Sequence, residues 1–128
     1  MKLYEMTAEL LDECGKCRPR HARMREEERE PDFFGEVKPY ADRVHQLISD
    51  WVKLSVEWIR QERPKHVREP QIENAAEMMT QFVVQSFYPK TGKKRFYDSI
   101  QSAEYLLKTM MAAMEEGTDG AEQTKDHQ

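Results

Sequence analysis

The sequence has no apolar run approaching the length of a bilayer-spanning helix, so a membrane segment is not expected. Glycine is scarce, at five residues in 128. No stretch alternates apolar and polar residues, and together these absences argue against sheets joined by tight turns. Two cysteines cannot build a disulfide framework. The opening Met1-Lys2-Leu3-Tyr4-Glu5 lacks the charged lead and apolar core of a secretory signal. A cytoplasmic location is therefore the default expectation. A large charge of one sign is missing too. The net charge of −4 and pI near 5.6 argue against bulk binding to nucleic acid or anionic lipid. Catalytic signatures are equally absent: there is no glycine-rich phosphate loop, no GxSxG elbow and no HExxH.

What the chain does contain is charge at 34% beside 38% hydrophobic residues. That mixture suits long helices with solvated outer faces. A chain this long has room for one core, so a single domain over residues 1–117 is expected, followed by a flexible polar tail over 118–128.

Apolar residues recur at helical spacing in four stretches. The first carries Leu3, Met6, Leu10, Cys14, Cys17, His21 and Met24 on one face. Pro19 cannot donate to the Gly15 carbonyl, which predicts a kink, and the acidic run from Glu26 predicts fraying before Pro31. Asp32 is placed to cap a short connector, Asp32-Phe33-Phe34-Gly35. The second stretch begins near Pro39 and buries Ala41, Val44, Ile48, Trp51 and Trp58, with Leu47, Leu54 and Ile59 on a flank. Pro64 stops it. The third opens near Pro70, buries Ile72, Ala75, Ala76, Met79, Phe82, Val83 and Phe87, and is expected to end at Pro89. The fourth follows Gly92 and buries Phe96, Ile100, Ala103, Leu107, Met110 and Met114, with Gly117 as its expected cap. Short connections favour antiparallel neighbours, so the fold predicted is all-α: an up-and-down four-helix bundle with a kinked first helix. Loops near residues 30 and 91 then share one end of the bundle.

Three features carry chemistry worth weighing. Cys14-Gly15-Lys16-Cys17 is a CxxC, but it falls inside a helix rather than at the helix N-terminus after a strand where such motifs are redox-active. With His21 on the same face, and Asp42 and His45 one turn apart on the second helix, it suggests a metal- or thiol-dependent bundle enzyme using Cys14, Cys17, His21, Asp42 and His45. The competing reading makes the cysteines small core residues and leaves the histidines partly exposed; it is preferred. Second, Arg18, Arg20, Arg23 and Arg25 should approach Lys90, Lys93, Lys94 and Arg95 at one bundle end, a patch able to meet phosphates or an acidic partner. Pairing with Glu26 to Glu30 is the plainer expectation, and nucleic acid is not the preferred partner. Third, Arg60 and His66 have a spacing similar to that in small helical nucleases of the HEPN type, a spacing that arises easily by chance.

The order of several short elements is more specific. Asp32-Phe33-Phe34, Val37-Lys38-Pro39, Arg63-Pro64-Lys65 with Val67, Gln71-Ile72-Glu73, Gln85-Ser86 and Lys93-Lys94-Arg95-Phe96 follow one another along the chain. In this the sequence resembles the YppE-like family, small uncharacterised proteins of bacilli and their relatives. The resemblance implies a four-helix bundle in the cytoplasm of a Gram-positive bacterium. It implies no activity, since that family is a domain of unknown function without assigned sites, and the CxxC is not part of the shared pattern.

The expectation that results is a non-catalytic, cytosolic interaction protein, with no catalytic residue, cofactor or metal assigned. Its contact surface for an unidentified protein partner is expected around Phe33, Phe34, Lys93, Lys94 and Arg95. The wide apolar face of the second helix is compatible with a monomer or a weak homodimer.

Overall fold

Each of the four periodic stretches forms a helix in the computed structural model, which describes the backbone of residues 1–127 and the side chains of residues 1–116. Helix α1 spans Lys2–Glu27, α2 Lys38–Glu62, α3 Glu69–Gln85 and α4 Lys93–His127. The expected boundary at Gly117 and the expected flexible tail over 118–128 lie outside the residues whose side chains are described.

The prolines between helices act where the sequence places them, with one exception. Pro19 sits on the exposed side of α1 with Gly15, so the carbonyl that loses its donor opens to water. The disturbance is absorbed within one helix. Helix α1 ends as Glu28 adopts the left-handed conformation (φ 50°), and the Arg29 N–H closes back on the Met24 carbonyl at 3.1 Å. Arg63 is also left-handed (φ 47°), because Pro64 disfavours a helical residue before it. The exception is α3, which stops at Gln85 rather than at Pro89. Thr91 Oγ1 donates to the Gln85 carbonyl at 3.0 Å, and Ser86 Oγ donates to the Val83 carbonyl at 2.7 Å. These bonds satisfy the last turn and release the chain four residues early.

Between α1 and α2 the connector winds into one wide turn, Phe33–Val37, with bonds from the Val37 N–H to the Asp32 carbonyl and from the Lys38 N–H to the Phe33 carbonyl. Asp32 caps it, accepting from the Gly35 N–H at 3.2 Å. A Cβ at Gly35 would press into the Asp32 carboxylate, so a side chain there would displace the cap.

Side-chain pairs fix the topology. Tyr4 bonds Glu115, Arg18 bonds Glu104, and His21 reaches Thr91, so α1 and α4 run antiparallel. Thr7 with Trp51 and Arg20 with Tyr40 do the same for α1 and α2. His45 with Thr80 and Arg60 with Glu69 do it for α2 and α3. The helices follow one another around the bundle in the up-and-down order expected, with α2 flanked by α1 and α3. Nearly every core residue expected from periodicity is buried, and Trp51, Phe82, Phe96 and Leu107 are sealed from solvent. Trp51 keeps its indole satisfied, donating to Thr7 Oγ1 at 3.1 Å.

Candidate functional site

Cys14 and Cys17 lie in the core of α1, both fully buried and free. The Cys17 thiol donates to the Glu13 carbonyl at 3.3 Å, an ordinary helical back-bond. Burial raises the Cys14 thiol far above its ordinary value and pushes Cys17 up to about 11. Thiols so placed are protonated at neutral pH, the opposite of what a nucleophile or ligand needs.

His21, on the same face, bonds the Thr91 carbonyl at 3.0 Å through Nε2 and packs on Phe96 with ring centres 4.7 Å apart. It is buried rather than partly exposed, which corrects the sequence expectation for this histidine. Burial lowers its pKa, the Thr91 bond works against that, and the cations Arg25 and Lys93 reinforce it. On α2, His45 turns towards α3 and bonds the Thr80 carbonyl at 3.1 Å, while Asp42 pairs with Lys38 in solvent at 2.7 Å. Four of the five side chains considered for a metal thus have separate partners, and Cys14 is packed in the core. Among the described residues no three of His, Cys, Asp and Glu are grouped to hold an ion.

The polar chemistry inside the bundle belongs to residues that periodicity did not single out. Glu13 is 3% exposed although charged. Tyr40 donates its hydroxyl to one carboxylate oxygen, and Arg43 reaches the other at 3.0 Å. Lys16 stands 3.7 Å away. Burial would raise the Glu13 pKa, but the bonds from Tyr40 and Arg43 and the charge of Lys16 outweigh it and hold the carboxyl below its ordinary range. Burial and the Glu13 carboxylate both raise the Tyr40 pKa.

Arg20 extends the network. Its guanidinium lies between two aromatic rings, 4.4 Å from the centre of Tyr40 and 4.6 Å from that of Phe87. It donates to Tyr40 Oη at 2.7 Å and to Ser86 Oγ at 2.9 Å. Three segments are tied here: α1 by Glu13 and Arg20, α2 by Tyr40 and Arg43, and the α3–α4 connection by Ser86 and Phe87. The one available signal was Glu13 itself, a charge set between Leu10 and Cys17 on the apolar face. Nearly all buried polar side-chain atoms are satisfied in this way. Ser55 Oγ alone lacks a partner among the described residues.

The network removes two arginines from the basic patch expected at the bundle end. Arg20 turns inward, and Arg18 makes a bidentate pair with Glu104 at 2.7 and 3.1 Å. The acids of the 26–30 run are not their partners; Arg29 from that segment instead pairs with Glu36 at 2.7 Å. The cations opening α4 divide between two sides. Lys93 lies 5.3 Å from the Tyr97 ring, beside Arg18 of α1. Lys94 and Arg95 instead line a groove against Met78 of α3. Phe33 and Phe34 stand out from the wide turn, 45% and 77% exposed, with rings edge to face at 5.1 Å. Arg60 is ion-paired with Glu69, at 3.2 Å, while His66, in the 63–68 connection, lines a cavity between α3 and α4.

Fold and interior together define an antiparallel helical-bundle domain whose inward polar groups serve to fasten it. Its family follows from comparison with other proteins. Residues 7–114 match the model of a bacterial domain of unknown function, DUF1798, and the chain belongs to that family. It is 31% identical over 105 residues to the uncharacterized protein YppE of Bacillus subtilis, a match covering 82% of this chain and 85% of that protein. The crystal structure of B. subtilis yppE superposes with a TM-score of 0.88 at 28% identity, over 92% of this chain and 96% of that one. A Listeria innocua protein of unknown function gives 0.87 at 28% identity, over 93% and 95%. No helix among the described residues is long and apolar enough to cross a membrane.

Proposed function

We propose that this protein is a small, cytosolic, non-catalytic interaction module that meets a protein partner through the bundle end bearing Phe33, Phe34 and Lys93 to Arg95. The observation that carries the reading is the pair of exposed aromatics. Phe34 is 77% exposed on a turn whose shape is fixed by the Asp32 cap and the Arg29–Glu36 pair. Exposed aromatics on a fixed turn are among the residue types that anchor protein interfaces, because they bury much area at little entropic cost. The interior supports the same reading, since its thiols and histidines are engaged or protonated. The relatives from Bacillus and Listeria support a Gram-positive cytoplasm as the setting.

The test is chemical crosslinking and pull-down from the native bacterium, begun with the wild-type protein. Two variants are compared with it, Phe33→Ala/Phe34→Ala and a charge reversal of Lys93, Lys94 and Arg95. A discrete partner lost in both variants, with circular dichroism unchanged, is the expected result. Recovery of the same partners by all three proteins would show that this surface is not the interface.

A further inference from the structure

The outer face of α3 and α4 is unusual for a chain so rich in charge. A cavity of about 470 Å³ opens there between the helices, lined by Asn74, Ala75, Met78, Ser102, Leu106 and Thr109. Tyr105 stands at its rim, 75% exposed. A second groove of about 510 Å³ continues from Met78 and Ser102 to Lys94 and Arg95. Between Asp98 and Glu116 the positions in line with Tyr105 are Ser102, Thr109 and Ala112, with Lys108 at their edge as the nearest charge. Depletion of charge with enrichment in Tyr and Met is the compositional mark of an interface core.

The charges at the two ends of the face determine what fits it. Lys94 lies eleven residues before Tyr105, and Glu116 lies eleven residues after. Eleven residues are close to three helical turns, so all three side chains share one face, with each charge about 16 Å from the tyrosine along the axis. Both charged residues are exposed, and neither enters a salt bridge among the described residues. Lys94 at one end and Glu116 at the other are complementary when the stripe is reversed on itself, with Asp98, one turn inside Lys94, set opposite the uncharged Ala112.

We infer that the α3–α4 face is a homodimer interface, in which a second copy of this chain lies antiparallel across a two-fold axis at Tyr105. In that register Lys94 faces Glu116 of the second copy. Asp98 faces Ala112, Lys108 faces Ser102, and no like charges are opposed. Each Tyr105 enters the cavity beside Met78 and Leu106 of the other copy. The interface is separate from the bundle end of Phe33 and Phe34, with which it shares only the cations opening α4.

Sedimentation velocity at low salt and sub-millimolar concentration tests this. The wild type should approach twice the 15.2 kDa of one chain. Lys94→Glu and Glu116→Lys should each weaken association by about tenfold, since each turns two attractions into two repulsions. The double variant Lys94→Glu/Glu116→Lys should restore it, as should an equimolar mixture of the two single variants. Tyr105→Asp should leave a folded monomer. A wild type that stays at 15.2 kDa overturns the proposal. So does a dimer that survives Tyr105→Asp, or one that the paired reversal fails to rescue. Because Phe33 and Phe34 are untouched, loss of the dimer leaves the bundle-end reading standing, and loss of partner crosslinks leaves the dimer standing.

Discussion

Replacing Glu13 by glutamine keeps the shape of the side chain and removes only its charge from the wall between α1 and α2. The carboxylate accepts from Tyr40 and from Arg43. Hydrogen bonds to a charged group contribute about 1.5–3 kcal/mol each when both partners are buried. The Arg43 side chain is 49% exposed and can rehydrate, so its share falls towards the surface value of about 0–1 kcal/mol. The Tyr40 hydroxyl keeps a neutral acceptor in the amide. The expected cost is therefore about 2 kcal/mol, well below the loss for stranding a fully buried charge. With a urea slope of about 1–3 kcal/mol/M, the unfolding midpoint should fall by about 1 M with the slope unchanged.

The pH dependence separates charge from packing. The folded pKa of Glu13 lies below its unfolded value, so the carboxylate contributes fully above about pH 4.3, the unfolded value. That contribution is lost as the pH falls through the folded value. The gap between wild type and Glu13→Gln should accordingly be full at pH 7 and close progressively below pH 4. Equal gaps at pH 7 and at acid pH, or a variant no less stable than wild type, would refute the argument.

Three further predictions concern α1 and the wide turn. Both thiols should resist an aromatic disulfide reagent in native protein at pH 8 and react only as fast as the chain opens, because burial keeps Cys17 near 11 and Cys14 higher still. A thiol modified within seconds would mean that this part of the core is accessible. Gly15→Ala should stabilise the protein by about 1 kcal/mol, visible as a rise in Tm, since a Cβ there meets nothing and the site is mid-helix. Gly35→Ala should lower the Tm, because its Cβ displaces the Asp32 cap.

Much of the fold was legible because helix formation and burial follow local periodicity. The stripe from Leu3 to Met24 is buried residue for residue, and Pro31, Pro39, Pro64 and Pro70 bracket the helices. The end of α3 was misread by four residues. What stops it is the set of bonds made by Ser86 and Thr91, which no breaker in the sequence announces.

The expected site was less legible than the fold. Cys14, Cys17 and His21 do share a face, but the partner of His21 is a backbone carbonyl seventy residues away. The sequence by itself thus determined four helices, their inward faces and their antiparallel order. It also determined the family to which the chain belongs, through elements kept in sequence order. Only the tertiary structure decided which charges turn inward: Glu13 to Tyr40 and Arg43, and Arg20 between Tyr40 and Phe87. Only it left Tyr105 outside, at the rim of the groove between α3 and α4. A charge enters a core only where another helix supplies its partners, and that depends on juxtapositions that no local spacing contains.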